Sequence, residues 1–279
     1  MSSIKNVAVV GASGSIGSYA VPALLAANFV VTIVTHSSKG KRFPPQVKVA
    51  VTDFSPQSLQ QALSGQDAVL CVLGHAVLDR QANVIHAAEK AGVKSFIPSD
   101  FGIPKGPNDV PEYRAILGKK AQALDLLKEK SLALFSDFGF DLKQYSATIY
   151  DSGNEPFSAM SIAKIGKPIA AVFQHPEETK DPEVSIAALT TSPRKILAEL
   201  EKQTNTKWKT TTVSPDEARR EGRIKLQDGD YKGAYVAFLV AQLYQDGAGR
   251  SVLDGADNDL LGVEQESLKD VVKGALTWA

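Results

Sequence analysis

The stretch Gly11-Ala12-Ser13-Gly14-Ser15-Ile16-Gly17 decides the fold of this chain. It follows an apolar run at residues 7–10 and opens a helix-compatible segment at residues 16–27. A strand, a glycine turn and a helix in this order form the first unit of a dinucleotide-binding fold. The first glycine permits the tight turn, the second a close approach of the backbone to a pyrophosphate, and the third close packing of the helix on the strand. The alternative is a plain strand-to-helix turn without a ligand.

The start of the predicted helix is the expected phosphate site. Its unpaired N–H groups and the positive end of the helix dipole attract an anion. The end of the fourth predicted strand, Leu73 and Gly74, is where the nicotinamide half of a dinucleotide would pass. From these two segments we predict a set of cofactor-binding residues: Gly11, Ser13, Gly14, Ser15, Ile16, Gly17, Leu73 and Gly74.

Composition limits the classes of function. The chain has 279 residues, of which 43% are hydrophobic, and this suits one α/β domain with an appendage or two small domains. The formal charge is zero, with 31 basic and 31 acidic residues, so charge gives no reason to expect nucleic acid or an anionic membrane as a partner. No apolar run is long enough to span a bilayer. We expect a cytoplasmic protein that binds a small molecule, and its oligomeric state stays open.

Few side chains outside the glycine loop indicate chemistry. The single cysteine, Cys71, lies in an apolar run and is predicted to be a buried structural thiol. Asp100 is predicted to anchor its loop by accepting hydrogen bonds from backbone N–H groups. No metal site is predicted, because no metal-ligand spacing connects the four histidines His36, His75, His86 and His175.

The first half of the chain alternates strand-like and helix-like segments. The strand-like segments are short, apolar and rich in valine or isoleucine, as is typical of strands buried on both faces. Strands are predicted at residues 6–10, 30–35, 47–51, 68–73 and 95–98. Helices are predicted at residues 16–27, 55–63, 80–91 and 115–130. This alternation predicts an α/β fold, a Rossmann-type doubly wound parallel sheet with helices on both faces.

The second half is punctuated by proline and glycine and is predicted to be mostly helical. Helices are predicted at residues 161–174, 193–204, 216–221, 231–245 and 265–278, and short strands at 185–189 and 209–213. We therefore predict an NAD(P)-binding domain over residues 1–150 and a smaller C-terminal substrate lobe over residues 151–279, interleaved with the first. A ligand would lie between them, at the carboxyl ends of the strands.

The segment after the second predicted strand indicates the choice of cofactor. An acidic residue there favours NAD, and a cation there favours the 2′-phosphate of NADP. The segment at residues 35–42 contains no carboxylate and carries the cations Lys39, Lys41 and Arg42. We predict NADP(H) as the cofactor, with His36 and Lys41 beside the 2′-phosphate. The alternative is a solvated basic loop.

Several strings resemble the NmrA-like and isoflavone-reductase-like group of atypical short-chain dehydrogenases. The most specific is Phe96-Ile97-Pro98-Ser99-Asp100-Phe101-Gly102, which is similar to that family's Phe-(Ile/Leu/Phe)-Pro-Ser-Glu-Phe-Gly signature. Residues 65–69 and 87–94 add to the resemblance, and residues 147–154 and 175–179 resemble fungal members. The resemblance covers most of the chain. It implies reduction of phenylpropanoid-type or related aromatic substrates with NADPH.

The resemblance also implies a catalytic lysine on the helix after this signature. The matching residue is Lys120, with Lys119 as an adjacent alternative. A lysine beside the nicotinamide could polarise a carbonyl or conduct a proton. From the residues alone, the run of Lys119 and Lys120, followed by Lys128 and Lys130, favours lysines on the exposed face of a helix.

One segment departs from the family pattern. Family members usually carry, after the lysine helix, a strand and loop resembling Trp-Thr-x-Ile-x-x-Gly-x-Phe, and here on the order of twenty residues are missing after Lys130. A sixth strand is then formed by residues 132–135 or lost, and the substrate pocket opens on one side. Two functions follow: an NADP(H)-dependent oxidoreductase that transfers hydride to a small aromatic or enone-like substrate, or an NmrA-like redox sensor that binds NAD(P) without turnover and acts on a protein partner.

Overall fold

Five parallel strands form the central sheet in the computed structural model, which describes residues 3–74, 80–101, 110–116, 139–180 and 184–278. They are β1 Asn6–Val10, β2 Val30–Thr35, β3 Lys48–Val51, β4 Ala68–Cys71 and β5 Ser95–Ile97. Their order across the sheet is β3-β2-β1-β4-β5. The strands wind outward in one direction from β1 to β3 and in the other from β4 to β5, so the switch point lies between β1 and β4. The predicted Rossmann-type doubly wound sheet is confirmed.

Helices cover both faces of this sheet. They are α1 Gly17–Ala26, α2 Pro56–Leu63 and α3 Gln81–Lys90. Successive side chains of a strand point to opposite faces, and β1 follows this rule. Val7 and Val9 pack in the core that contains α1, and Ala8 and Val10 pack in the core that contains α2 and α3. All four side chains are fully buried, which explains the continuous apolar run that precedes the glycine loop.

The remaining elements include a second, smaller sheet. The strands are β6 Phe140–Asp141, β7 Ser146–Tyr150, β8 Phe157–Ala159, β9 Leu189–Thr191 and β10 Lys209–Val213. Three of them form a sheet in the order β10-β7-β6, and β8 pairs with β9 in an antiparallel ribbon. The helices are α4 Pro111–Ile116, α5 Gly166–Gln174, α6 Pro193–Thr204, α7 Pro215–Gln227, α8 Tyr231–Tyr244 and α9 Leu268–Trp278, and a 3₁₀ turn at Ile162–Lys164 precedes α5.

Helix α5 packs on the central sheet although it is far from it in sequence. Gly166 begins α5 against α1, where a Cβ atom would lie 2.9 Å from Cβ of Ala23 and would overlap the carbonyl oxygen of Tyr19. Near the other end of α5, the rings of Phe173 and Phe29 meet edge to face with centroids 6.2 Å apart. The close contact at Gly166 therefore lets α5 complete the core on the α1 face.

Three element predictions in the second half are wrong in extent. The strand predicted at residues 185–189 is absent except for Leu189, because the backbone N–H groups of Ser185 and Ala187 donate to the side chains of Asp257 and Asn258. The helix predicted at residues 161–174 is divided into the 3₁₀ turn and α5. The helix predicted at residues 216–221 extends over Pro215–Gln227. Strands β6, β7 and β8 were not predicted.

Two helix ends in the first half have local caps. The Ser55 hydroxyl accepts a hydrogen bond from the N–H of Ser58 at the start of α2. Gly92 follows α3 with a φ of +75°. Of the helix predicted at residues 115–130, only residues 115–116 fall in the described ranges, at the end of α4. Across the described ranges, none of the helices has both the length and the apolar character needed to cross a membrane.

Candidate functional site

The carboxyl ends of three neighbouring strands lie at one edge of the central sheet. Val10 of β1 pairs with Val34 of β2 on one side and with Cys71 of β4 on the other. Adjacent strands are about 4.8 Å apart, so the loops that follow these residues are immediate neighbours. The edge lies at the switch point of the sheet, which is where open α/β sheets bind ligands.

The glycine turn after β1 depends on its first and third glycines. Gly11 has a φ of +95°, a conformation that favours glycine. The N–H of Gly14 donates to the carbonyl oxygen of Gly11 at 2.9 Å and closes the turn. A Cβ atom on Gly17 would lie 2.6 Å from Cα of Ala12. The start of α1 therefore approaches the turn more closely than any amino acid other than glycine at position 17 would allow.

The crest of this turn carries backbone N–H groups that have no acceptor in the described part of the chain. Within the described ranges, the N–H groups of Ser13, Ser15, Ile16 and Gly17 donate to no acceptor of the chain. Ile16 is the N-cap of α1 and has no side-chain oxygen to cap it, and the first turn of α1 contains no acidic residue. Ser13, Gly14 and Ser15 are exposed. Free donors, the helix dipole and the absence of a competing carboxylate together fit an anionic group.

A basic loop follows β2 at the same edge. Residues 36–42 are all exposed. The ammonium group of Lys41 donates to the Thr35 hydroxyl at 3.1 Å, and that hydroxyl donates to the carbonyl oxygen of Ser37 at 3.0 Å. These bonds fold the Lys41 side chain back toward the end of β2, and His36 directly follows that strand. Both residues predicted to contact the cofactor phosphate therefore lie in the loop that follows β2, the strand that pairs with β1.

Hydrogen bonds join the segment that follows β4, residues 72–74 (the β4 exit), to the segment that follows β5, residues 98–100 (the β5 exit). The N–H of Leu73 donates to the Ser99 hydroxyl at 2.6 Å, and that hydroxyl donates to the carbonyl oxygen of Cys71 at 2.9 Å. The N–H of Ser99 donates to Oε1 of Gln81 at 2.6 Å. Neither side chain was predicted to belong to the site. A serine that directly follows a buried strand indicates a site residue only weakly. Nothing in the sequence around Gln81, at the start of a helix, indicates such a role.

Cys71 is confirmed as a buried thiol. Its side chain is fully buried at the end of β4. Burial raises the pKa of the Cys71 thiol to about 12, and the Ser99 hydroxyl 3.7 Å away opposes that shift only in part. The thiol therefore stays protonated and unreactive at neutral pH.

An apolar pocket opens beside the exit of β5, one strand beyond β4. Its cavity volume is about 30 Å³, and among the described residues that line it the buried Asp100 is the one acidic residue. Its wall comes from the end of β5, from α5 and from two loops of the second half of the chain. The lining residues are Ile97, Pro98, Asp100, Phe101, Ile165, Pro168, Ile169, Val172, Val184, Ile186 and Leu261.

The structure brings together most of the predicted site residues. Those of the glycine turn, the basic loop and the β4 exit lie in the segments that directly follow three adjacent strands at one edge of the sheet. Lys120, Lys119 and His75 lie outside the described residues, as do residues 132–135. Over the ranges that are described, no cluster of three or more metal-binding side chains is found.

Comparison with known proteins decides the family. The sequence model of the NmrA-like family matches residues 3–226. The chain belongs to the NmrA-like family. Among its relatives, the oxidoreductase poxI of Penicillium oxalicum is 34% identical over 289 residues, covering 95% of this chain and 92% of the relative. The family predicted from the signature at residues 96–102 is therefore confirmed.

Solved structures share this fold. A structure of AtPrR2 with NADP⁺ and (+)pinoresinol has a TM-score of 0.76 at 18% identity and covers 98% of this chain and 99% of its own. The binary complex of leucoanthocyanidin reductase with NADPH from Vitis vinifera has a TM-score of 0.72 at 16% identity, with 98% and 99% covered. At these identities the likeness establishes the fold of the NmrA-like chain and nothing finer.

Proposed function

We propose that this NmrA-like protein is an NADP(H)-dependent oxidoreductase that reduces a small aromatic or enone-like substrate. The observation that carries the proposal is the glycine turn with free N–H groups, next to a basic loop without a carboxylate. A relative that matches nearly the whole chain is named an oxidoreductase, and two solved structures of the same fold contain NADP⁺ or NADPH.

Each part of the dinucleotide has a counterpart among the residues at this edge. The N–H groups of Ser15, Ile16 and Gly17 would hold the pyrophosphate, and the exposed Gly14 leaves room for it. Lys41, with His36, would neutralise the 2′-phosphate. The nicotinamide end would lie along the β4 exit at Leu73 and Gly74. The bound cofactor would supply the hydride, and the protein supplies orientation and electrostatics.

We propose that the apolar pocket beside β5 contacts the aromatic part of a substrate. The pocket begins one strand away from the β4 exit, so a substrate bound against it would lie next to the nicotinamide end of a cofactor bound at this edge. The nearly continuous apolar wall favours an uncharged ring, and the Asp100 carboxyl disfavours an anionic one. We assign to Lys120, on the strength of the family resemblance, the role of polarising the substrate carbonyl or delivering the proton.

Cofactor choice provides a test of the basic loop. The variant Lys41→Ala is expected to weaken NADPH binding about 10-fold and to leave NADH binding unchanged, because one exposed charge-assisted hydrogen bond to a phosphate is lost. Isothermal titration with both cofactors at low salt measures the effect. The matched control is Lys48→Ala, which removes the same charge from the opposite end of the neighbouring strand β3. An equal loss for NADH, or none for NADPH, contradicts the assignment.

A second function is favoured by the sequence after Lys130. The segment there is shorter than the family pattern, and a pocket open to water suits cofactor binding better than hydride transfer. In that case the protein is a redox sensor that binds NAD(P) and changes the state of a protein partner. Turnover separates the two functions: a sensor binds NADPH but oxidises none of it with any aromatic enone tested.

A further inference from the structure

We propose that Ser99 and Gln81 are positioning residues that set the β4 exit for the nicotinamide end of the cofactor. The inference rests on the proposed function, and it assigns a role to two side chains that do not themselves contact the dinucleotide. Both are buried, Ser99 at 7% exposure and Gln81 at 0%. Their hydrogen bonds join the ends of β4, β5 and α3 at the site edge.

The peptide between Val72 and Leu73 is fixed from two sides. On one side Gly11 packs directly against it, so that a Cβ atom there would overlap the Val72 carbonyl oxygen and lie 3.2 Å from the Leu73 nitrogen. On the other side the Ser99 hydroxyl accepts the Leu73 N–H and donates to the Cys71 carbonyl oxygen. One hydroxyl therefore satisfies two groups at the point where the strand ends and the predicted nicotinamide contacts begin.

Gln81 fixes the serine in turn. Its Oε1 accepts the Ser99 N–H at 2.6 Å, which determines the orientation of the amide. Its Nε2 is buried and donates to no acceptor in the part of the chain that is described. An unpaired buried donor costs stability, so the contribution of the amide lies in the acceptor that it offers to Ser99.

The same bonds reach the apolar pocket. Pro98 and Asp100 flank Ser99 in the chain and line that pocket, and the N–H of Asp100 donates to the Pro98 carbonyl oxygen at 2.7 Å. Fixing Ser99 on both its hydroxyl and its N–H therefore fixes the pocket wall relative to the β4 exit. Because hydride transfer depends on the relative placement of two ligands, small displacements of this segment matter.

The test compares two probes that share the adenosine half of the cofactor. NADPH reaches the β4 exit, whereas adenosine 2′,5′-bisphosphate contacts only the glycine turn and the basic loop. For Ser99→Ala we expect NADPH affinity to fall about 10-fold and the affinity for the bisphosphate to stay within about twofold. A merely structural role would lower both affinities together. The matched control is Ser95→Ala at the opposite end of β5, which should change neither.

Two further measurements test the same proposal if Ser99→Ala is unstable. Gln81→Met removes the acceptor for the Ser99 N–H at similar side-chain length and should shift the same ratio in the same direction. In the unmodified protein, hydrogen exchange at Leu73 and Ser99 should slow with NADPH and not with the bisphosphate. Equal changes for both probes, or none, overturn the inference. If the unmodified protein binds neither probe, the proposed function itself fails.

Discussion

Replacing Gly14 with alanine is expected to weaken NADPH binding about 100-fold or more while the fold stays intact. Gly14 is exposed at the crest of the turn, and a Cβ atom there would lie 3.3 Å from the Gly11 carbonyl oxygen, a contact that a small shift relieves. The methyl group would nevertheless occupy the space through which a pyrophosphate approaches the free N–H groups. Losing two charge-assisted hydrogen bonds accounts for an effect of this size.

The variant Gly17→Ala provides the contrast for this prediction. Its Cβ atom would lie 2.6 Å from both Cα of Ala12 and the Gly11 carbonyl oxygen, and backbone atoms cannot move away as a side chain can. We expect a loss of about 1–3 kcal/mol in the free energy of unfolding, together with weaker binding. Urea denaturation and calorimetric titration of both variants measure the two effects. Retention of NADPH affinity by Gly14→Ala to within about threefold would show that the pyrophosphate lies elsewhere.

Replacing Lys120 with alanine is expected to lower kcat about 10²- to 10⁴-fold and to leave the Kd for NADPH unchanged. The expectation follows from the proposed role, in which the ammonium group polarises the substrate carbonyl or delivers a proton but does not hold the cofactor. The measurement is NADPH oxidation with a panel of aromatic enones, beside titration with NADPH. Lys128→Ala is the control, because it removes the same charge from a position eight residues further along the chain.

Three other outcomes of this experiment carry different meanings. If kcat falls in Lys119→Ala and not in Lys120→Ala, the catalytic role belongs to Lys119. An unchanged kcat in both variants contradicts the lysine assignment and leaves the cofactor site untouched. Failure of the parent protein to oxidise NADPH with any enone, while it binds NADPH, favours the redox sensor.

The central sheet could be predicted because its signals are local. Strands buried on both faces read as continuous apolar runs, and β1 and β2 were predicted with the ends that the structure has. The glycine turn is also local, since every contact that requires glycine at its third position comes from residues within six positions along the chain. The signature at residues 96–102 then sufficed for the family.

The second half could not be predicted as well, because its backbone pairs over long sequence distances. Strands β8 and β9 are three residues long, which is too short to show an alternation of polar and apolar residues. They pair with each other across about thirty residues of sequence. The segment at residues 185–188 resembles a strand in composition. The N–H groups of Ser185 and Ala187 instead donate to the side chains of Asp257 and Asn258, some seventy residues later, and nothing local indicates that.

The candidate site also has parts that could be predicted from the sequence and parts that could not. The glycine turn and the basic loop are contiguous stretches whose chemistry can be read from the sequence. The bonds from Ser99 to Leu73 and from Gln81 to Ser99 span 26 and 18 residues and depend on strand register. The apolar pocket combines the end of β5 with α5 and the segment around Leu261, a juxtaposition that only the folded chain reveals.

Calorimetric titration of the unmodified protein with NADPH, NADP⁺, NADH and NAD⁺ tests the central claim most directly. The free N–H groups of the glycine turn and the cations of the basic loop predict that NADPH and NADP⁺ bind and that both bind more tightly than NADH and NAD⁺. Tighter binding of NADH would contradict the role of His36 and Lys41. Absence of binding by all four dinucleotides would contradict the account as a whole.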